Sequence, residues 1–151
     1  MPWRSIFPNP DPSEALAYIE GQYGIARPSK AQQHASSEAL RASSDFWRAV
    51  GLRIPRILYV QRIGKNHVAR FVSGTSGEPF ILLSRKLKDY DEIEISIFHE
   101  LVHAFYESSV SEEERLAPQQ EEVVAESFAQ LLWSRSIDPP ALRGLLEAAL
   151  R

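Results

Sequence analysis

I-E-I-S-I-F-H-E-L-V-H-A-F-Y-E-S, residues 93–108, contains the pattern H-E-x-x-H at His99, Glu100 and His103. On an α-helix, residues four apart lie one turn above each other on the same face. His99 and His103 can therefore offer two imidazoles to one metal ion, at a spacing that tetrahedral zinc accepts. Glu100 stands about 100° round the helix from His99, in reach of a water at such an ion and suited to be its general base. The stretch reads as a helix. Asp91 with Glu94 forms a D-x-x-E capping pattern, and Asp91 and Glu92 suit the positive end of the helix dipole. Ile93, Ile97, Leu101, Ala104 and Phe105 recur at helical spacing as a buried stripe. His99, His103 and Tyr106 lie to one side of it.

Two histidines leave zinc short of a protein donor. The next helical stretch contains E-E-V-V-A-E-S-F-A, residues 121–129. Glu122 and Glu126 are one turn apart there, so one can bind a metal while the other orients a ligand imidazole. The short connection from His103 makes the two helices neighbours, roughly antiparallel.

The pair H-E-L-V-H and E-V-V-A-E-S-F-A resembles the gluzincin metallopeptidases, whose third zinc ligand is a glutamate on the following helix. It is most similar to the small ImmA/IrrE-type members, with their E-x-x-A-(N/D)-x-F-A pattern. The resemblance spans residues 80–133, about a third of the chain. It implies Glu122 as third ligand beside His99 and His103, with Ala125, Phe128 and Ala129 at packing positions. Glu126 falls where the family usually has Asp or Asn as a partner of the first histidine, and its longer side chain is a departure. Glu121 and Glu126 are the alternatives to Glu122 as ligand. The implied function is zinc-dependent hydrolysis of peptide bonds in a specific protein substrate, with Glu100 activating the attacking water. Tyr106 and His67 are the nearest sequence candidates for stabilising the oxyanion. A zinc-containing regulatory or protein-binding module without hydrolysis is the alternative, and a zinc-free helical domain with a coincidental motif is a third reading.

The expected fold is α+β and zincin-like, in one domain over residues 1–151, with residues 1–12 flexible. Asp11-Pro12-Ser13-Glu14 starts a short helix to Glu20, stopped by Gly21. A capping box at Ser29 and Gln32 opens a longer helix to Val50, ended by Gly51. His34, on its polar half, reads as a surface histidine. Residues 57–62, 68–73 and 80–84 read as strands of a small, mostly antiparallel sheet of three strands or more. Gly64-Lys65-Asn66 serves as a hairpin turn between the first two, and residues 73–77 as a second turn. The resemblance implies that the strand before the metal helix, residues 80–84, lines the cleft; an extended peptide could pair with its edge. Ser111 to Arg115 is a charge run that reads as a solvated loop. A helix follows Ala117-Pro118 to about Ser136, with Val124, Phe128, Leu131 and Leu132 as its core face. After Asp138-Pro139-Pro140, residues 141–150 form a last amphipathic helix that docks on the body through Leu142, Leu145, Leu146 and Leu150, or serves a dimer.

Hydrophobic residues at 44% and charged ones at 25% fit a globular chain rather than a disordered one. The absence of cysteine excludes disulfides, thiolate zinc sites and a cysteine nucleophile. A net charge of −3 gives no basic footprint, so a peptide or protein is the expected partner and nucleic acid is not. No apolar run is of signal-peptide or membrane-spanning length, so a cytoplasmic protein without membrane contact is expected, monomeric by default.

Overall fold

The computed structural model describes residues 12–73 and 78–150. The segment before Pro12, with the Asp11 cap, and the turn at residues 74–77 lie outside the described residues. In chain order the elements are α1 (Pro12–Tyr23), β1 (Ile25–Ala26), α2 (Lys30–Ala42), α3 (Ser44–Ala49), β2 (Arg56–Val60), β3 (Ala69–Ser73), β4 (Pro79–Ser84), α4 (Tyr90–Ser109), α5 (Pro118–Trp133) and α6 (Pro139–Ala148). The fold is mixed α+β, with six helices and one four-stranded sheet among the described residues. None of these helices is long and apolar enough to cross a membrane.

The sheet order is β1-β2-β4-β3. The β1–β2 and β3–β4 pairs are antiparallel and β2–β4 is parallel. The expected hairpin between residues 57–62 and 68–73 therefore does not form, because β4 lies between them. The reason is in β4 itself. Phe80, Ile81, Leu82 and Leu83 are apolar on both faces and fully buried, and such a run is most stable in the middle of a sheet covered on both sides. Phe80 and Leu82 join a cluster with Ala15 and Ile19 of α1. Ile81 and Leu83 face the main core against α2, α4 and α5. Gly64 and Asn66 still turn the chain with positive φ (112° and 66°), but in a loop that carries it past β4 to the far edge.

Helix boundaries follow local chemistry with instructive shifts. Helix α1 passes through Gly21, because Ala15 and Ile19 are buried against the sheet. It ends at Gly24, whose φ of 70° places it in the left-handed region that favours glycine. The Glu20 carboxylate then accepts a bond from the Ile25 N–H at 2.6 Å, leading directly into β1, a strand too short to be legible by alternation. The Ser29–Gln32 capping box forms in both directions. The helix it opens breaks at Ser43 instead of reaching Val50. Ser43 Oγ donates to the Ala39 carbonyl at 2.8 Å and accepts from Trp47 Nε1 at 2.8 Å, so the chain can re-aim while Phe46 and Trp47 enter the core. Gly51 ends α3 with a φ of 72°.

Helix α4 is capped by Asp89, two residues before the expected Asp91. Its Oδ1 accepts from the Glu92 N–H at 3.0 Å, leaving Asp91 and Glu92 in the first turn, where negative charge is favourable. Its stripe of Ile93, Ile97, Leu101, Ala104 and Phe105 is buried as expected. Helix α5 stops at Trp133, and its core face is Ala125, Ala129 and Leu132, with Val124 and Phe128 half-buried and Leu131 exposed. Small alanines let α5 lie close to α4. Helix α6 is capped by the Asp138 carboxylate and docks on the body through Leu142 and Leu146, while Leu145 points to solvent. Arg143 of α6 also donates to the Ala49 carbonyl of α3.

Candidate metal centre

Helices α4 and α5 pack side by side, and the pairing of their side chains fixes their sense. His103 meets Glu121 and His99 meets Glu126, so the chains run in opposite directions. Each helix then contributes donors to one point. His99 Nε2 and His103 Nε2 lie 3.2 Å apart. Glu122 bridges them, its Oε2 at 3.1 Å from His99 Nε2 and its Oε1 at 2.8 Å from His103 Nε2. For zinc bonds of about 2.0–2.1 Å, the edge of a coordination tetrahedron is about 3.3 Å. The 3.2 Å between the two ring nitrogens is close to that edge, and each Glu122 oxygen lies against one of them, so these side chains together could hold one ion. His99, Glu100 and His103 likewise form a group whose ligand atoms lie within 4.8 Å of one another and could hold a metal ion.

The other ring nitrogens are held as well. His99 Nδ1 lies 3.3 Å from Glu126 Oε2, so the longer side chain still reaches the first histidine. His103 Nδ1 lies 2.5 Å from Glu121 Oε2. Glu121 is only 4% exposed, and its other contacts are with Arg115 of the α4–α5 connection. Arg115 Nε meets Glu121 Oε1 at 2.6 Å and Nη2 meets Oε2 at 2.9 Å, a two-pronged fork. Its Nη1 reaches Glu107 of α4 at 2.5 Å. Residue 115 is therefore not part of a solvated run. Burial pushes the Glu121 carboxyl up, but the Arg115 and His103 contacts outweigh it and hold it at about 2. The Arg115 guanidinium is held well above its usual range, first by the bond to Glu121. Burial pushes His103 down, yet the Glu121 bond and the surrounding carboxylates leave it raised.

Glu100 is 6% exposed, and burial raises its carboxyl, with His103 and His99 only partly offsetting this. The nearby backbone N–H of Phe71 in β3 offsets the rise slightly further. Glu100 thus stands between the histidines and the sheet edge. A cleft of about 490 Å³ opens there, lined on one side by residues 66–71 and on the other by His99, Glu100, His103, Arg115, Glu122 and Glu126.

The strand on the cleft is β3, not residues 80–84. Strand β4 is paired on both sides, to β2 and to β3, and offers no edge. The Ser84 N–H donates to the Val68 carbonyl, so the backbone of the alternate residues Ala69 and Phe71 points to the open side. His67 is exposed and lines this cleft. Tyr106 does not. It is fully buried beneath the site, in a T-shaped contact with Phe105, and its hydroxyl has no hydrogen-bond partner among the described residues. It stands seven residues, about two turns, from His99, but its side chain is packed into the main core and does not face the cleft. His34 lies on the surface and stacks at a tilt on Tyr90.

Sequence reading missed the roles of Glu121, Arg115 and Glu107. One signal existed for Glu121: the residue before a donor on α5 is turned about 100° round the helix, toward the second histidine. No local pattern marks Arg115, because its partners lie 6 and 8 residues away across a helix end. No protein-family model, curated protein or solved structure matches this chain.

Proposed function

We propose that this chain is a zinc metallopeptidase of the gluzincin type on a zincin-like fold, with His99, His103 and Glu122 as the zinc ligands and Glu100 as general base. The observation that carries the reading is the convergence of His99 Nε2, His103 Nε2 and the Glu122 carboxylate, with neighbouring atoms 2.8–3.2 Å apart. Three protein donors leave a fourth position for water or substrate, the pattern of a catalytic rather than a structural zinc site. When bound, zinc supplies a Lewis acid for the peptide carbonyl and makes a water acidic enough to attack near neutral pH.

The chain's own groups account for the remaining needs. Glu100 takes the proton of the attacking water on its carboxylate and delivers it to the departing nitrogen. A buried carboxyl with its affinity for protons raised suits that shuttle. The outward backbone groups of Ala69 can pair with an extended peptide, holding its scissile bond across the histidines. The substrate class is accordingly a peptide or protein in extended form.

The test uses Glu100→Gln, which keeps size and hydrogen bonding but cannot take up the proton. Zinc-loaded wild type should cleave members of a diverse peptide library. The variant should retain equal zinc and lose roughly 10²–10⁴-fold in rate. Equal cleavage by both proteins refutes the role of Glu100. A zinc-loaded wild type that cleaves no peptide favours the binding-module reading.

A further inference from the structure

We infer that Arg115, outside the ligand set and outside the H-E-x-x-H motif, is a positioning residue that sets the protein's affinity for its metal through Glu121 and His103. The inference rests on the metal site proposed above. Its basis is a continuous chain of contacts. The Arg115 fork, Nε to Glu121 Oε1 and Nη2 to Oε2, fixes both the position and the plane of that carboxylate. The same Oε2 lies 2.5 Å from His103 Nδ1. A carboxylate accepts hydrogen bonds, so Nδ1 carries the hydrogen and the lone pair of the ring is placed on Nε2. That is the nitrogen facing His99 and Glu122. Arg115 therefore chooses the tautomer and the ring angle of a ligand it does not touch.

The bond from Arg115 Nη1 to Glu107 ties the same guanidinium back to α4, one turn beyond His103. Three points on three segments are thereby locked together: the end of α4, the connection and the first turn of α5. Lysine cannot reproduce this, because an ammonium offers a point charge and no planar fork.

A purely electrostatic role has the opposite sign. A cation near the site repels a metal ion, so removing it would tighten metal binding. A purely structural role would lower the melting temperature of the metal-free protein and leave metal affinity alone. The experiment measures the zinc dissociation constant by chelator competition, and the metal-free Tm, for the full chain as wild type, Arg115→Ala and Arg115→Lys. Loss of a partner that orients a ligand weakens metal binding roughly 10–100-fold. That is the expectation for Arg115→Ala, with a smaller loss for Arg115→Lys. Zinc binding by Arg115→Ala that is unchanged or tighter overturns the inference, whatever its metal-free Tm. Should Arg115→Ala fail to fold, unchanged affinity in Arg115→Lys overturns it equally. Wild type that binds no zinc removes the metal site itself and this inference with it, whereas a zinc-binding wild type with unaffected variants removes only the role of Arg115.

Discussion

Zinc should stabilise the fold measurably, and Glu122 should carry much of the effect. The donor atoms of His99, His103 and Glu122 stand 2.8–3.2 Å apart, so holding an ion asks them to shift by no more than about half an ångström. His99 and His103 are fixed on one helix, and the Glu122 side chain is exposed enough to adjust without disturbing the core. Little free energy is then spent on rearrangement, and binding energy appears as folding stability. A ligand at 100 times its dissociation constant stabilises the native state by about 2.7 kcal/mol. For a domain of this length each kcal/mol raises Tm by about 2–4 °C, so a rise of roughly 5–10 °C is expected when chelator-stripped protein is given zinc at that excess. Glu122→Ala should change the metal-free Tm little, since the Glu122 side chain is itself 60% exposed and its pairs with the histidines are screened on that side by water. At the same zinc concentration it should lose most of the rise. Differential scanning calorimetry, with elemental analysis of each sample, makes the measurement. A wild-type Tm unmoved by zinc would refute the reasoning. A full rise in Glu122→Ala would refute the ligand assignment and transfer it to Glu121 or Glu126, each testable by the same pair of scans.

Two further outcomes follow from buried hydrogen bonding. Ser43→Ala should cost about 1–3 kcal/mol in denaturant unfolding, because it strands the indole N–H of the fully buried Trp47; a loss under half of the lower figure would mean that α2 and α3 find another joint. Tyr106→Phe should leave peptide cleavage and zinc content unchanged and leave Tm equal or slightly higher, because the hydroxyl it removes is buried without a hydrogen-bond partner among the described residues. A large drop in rate with intact zinc would instead restore Tyr106 to the reaction.

Much was legible before any coordinates, and the legible part was periodic or local. The five-residue apolar stripe of α4, the capping box at Ser29 and Gln32, and the left-handed turn at Gly51 depend only on neighbours along the chain. So does the placement of His99 and His103 one turn apart, which helix geometry alone enforces. Local signals failed where a distant partner outbid them. Gly64 and Asn66 make a turn, but the turn is no hairpin, because β4 is apolar on both faces and takes the middle of the sheet. Gly21 does not stop α1, since packing on the sheet outweighs a helix propensity penalty of about 1 kcal/mol.

The sequence by itself determined the motif pair, and with it which residues could meet a metal. Only the tertiary structure decided how they meet. It brought Glu122 across to both histidines, gave Glu121 rather than a farther residue to His103, drew Arg115 out of an apparent charge run, and made β3 the open edge beside Glu100. The physical reason is common to all four. Side-chain spacing along one helix follows from its own geometry, whereas the pairing of two helices and the order of strands follow from which apolar faces are buried together, and that is a property of the whole chain.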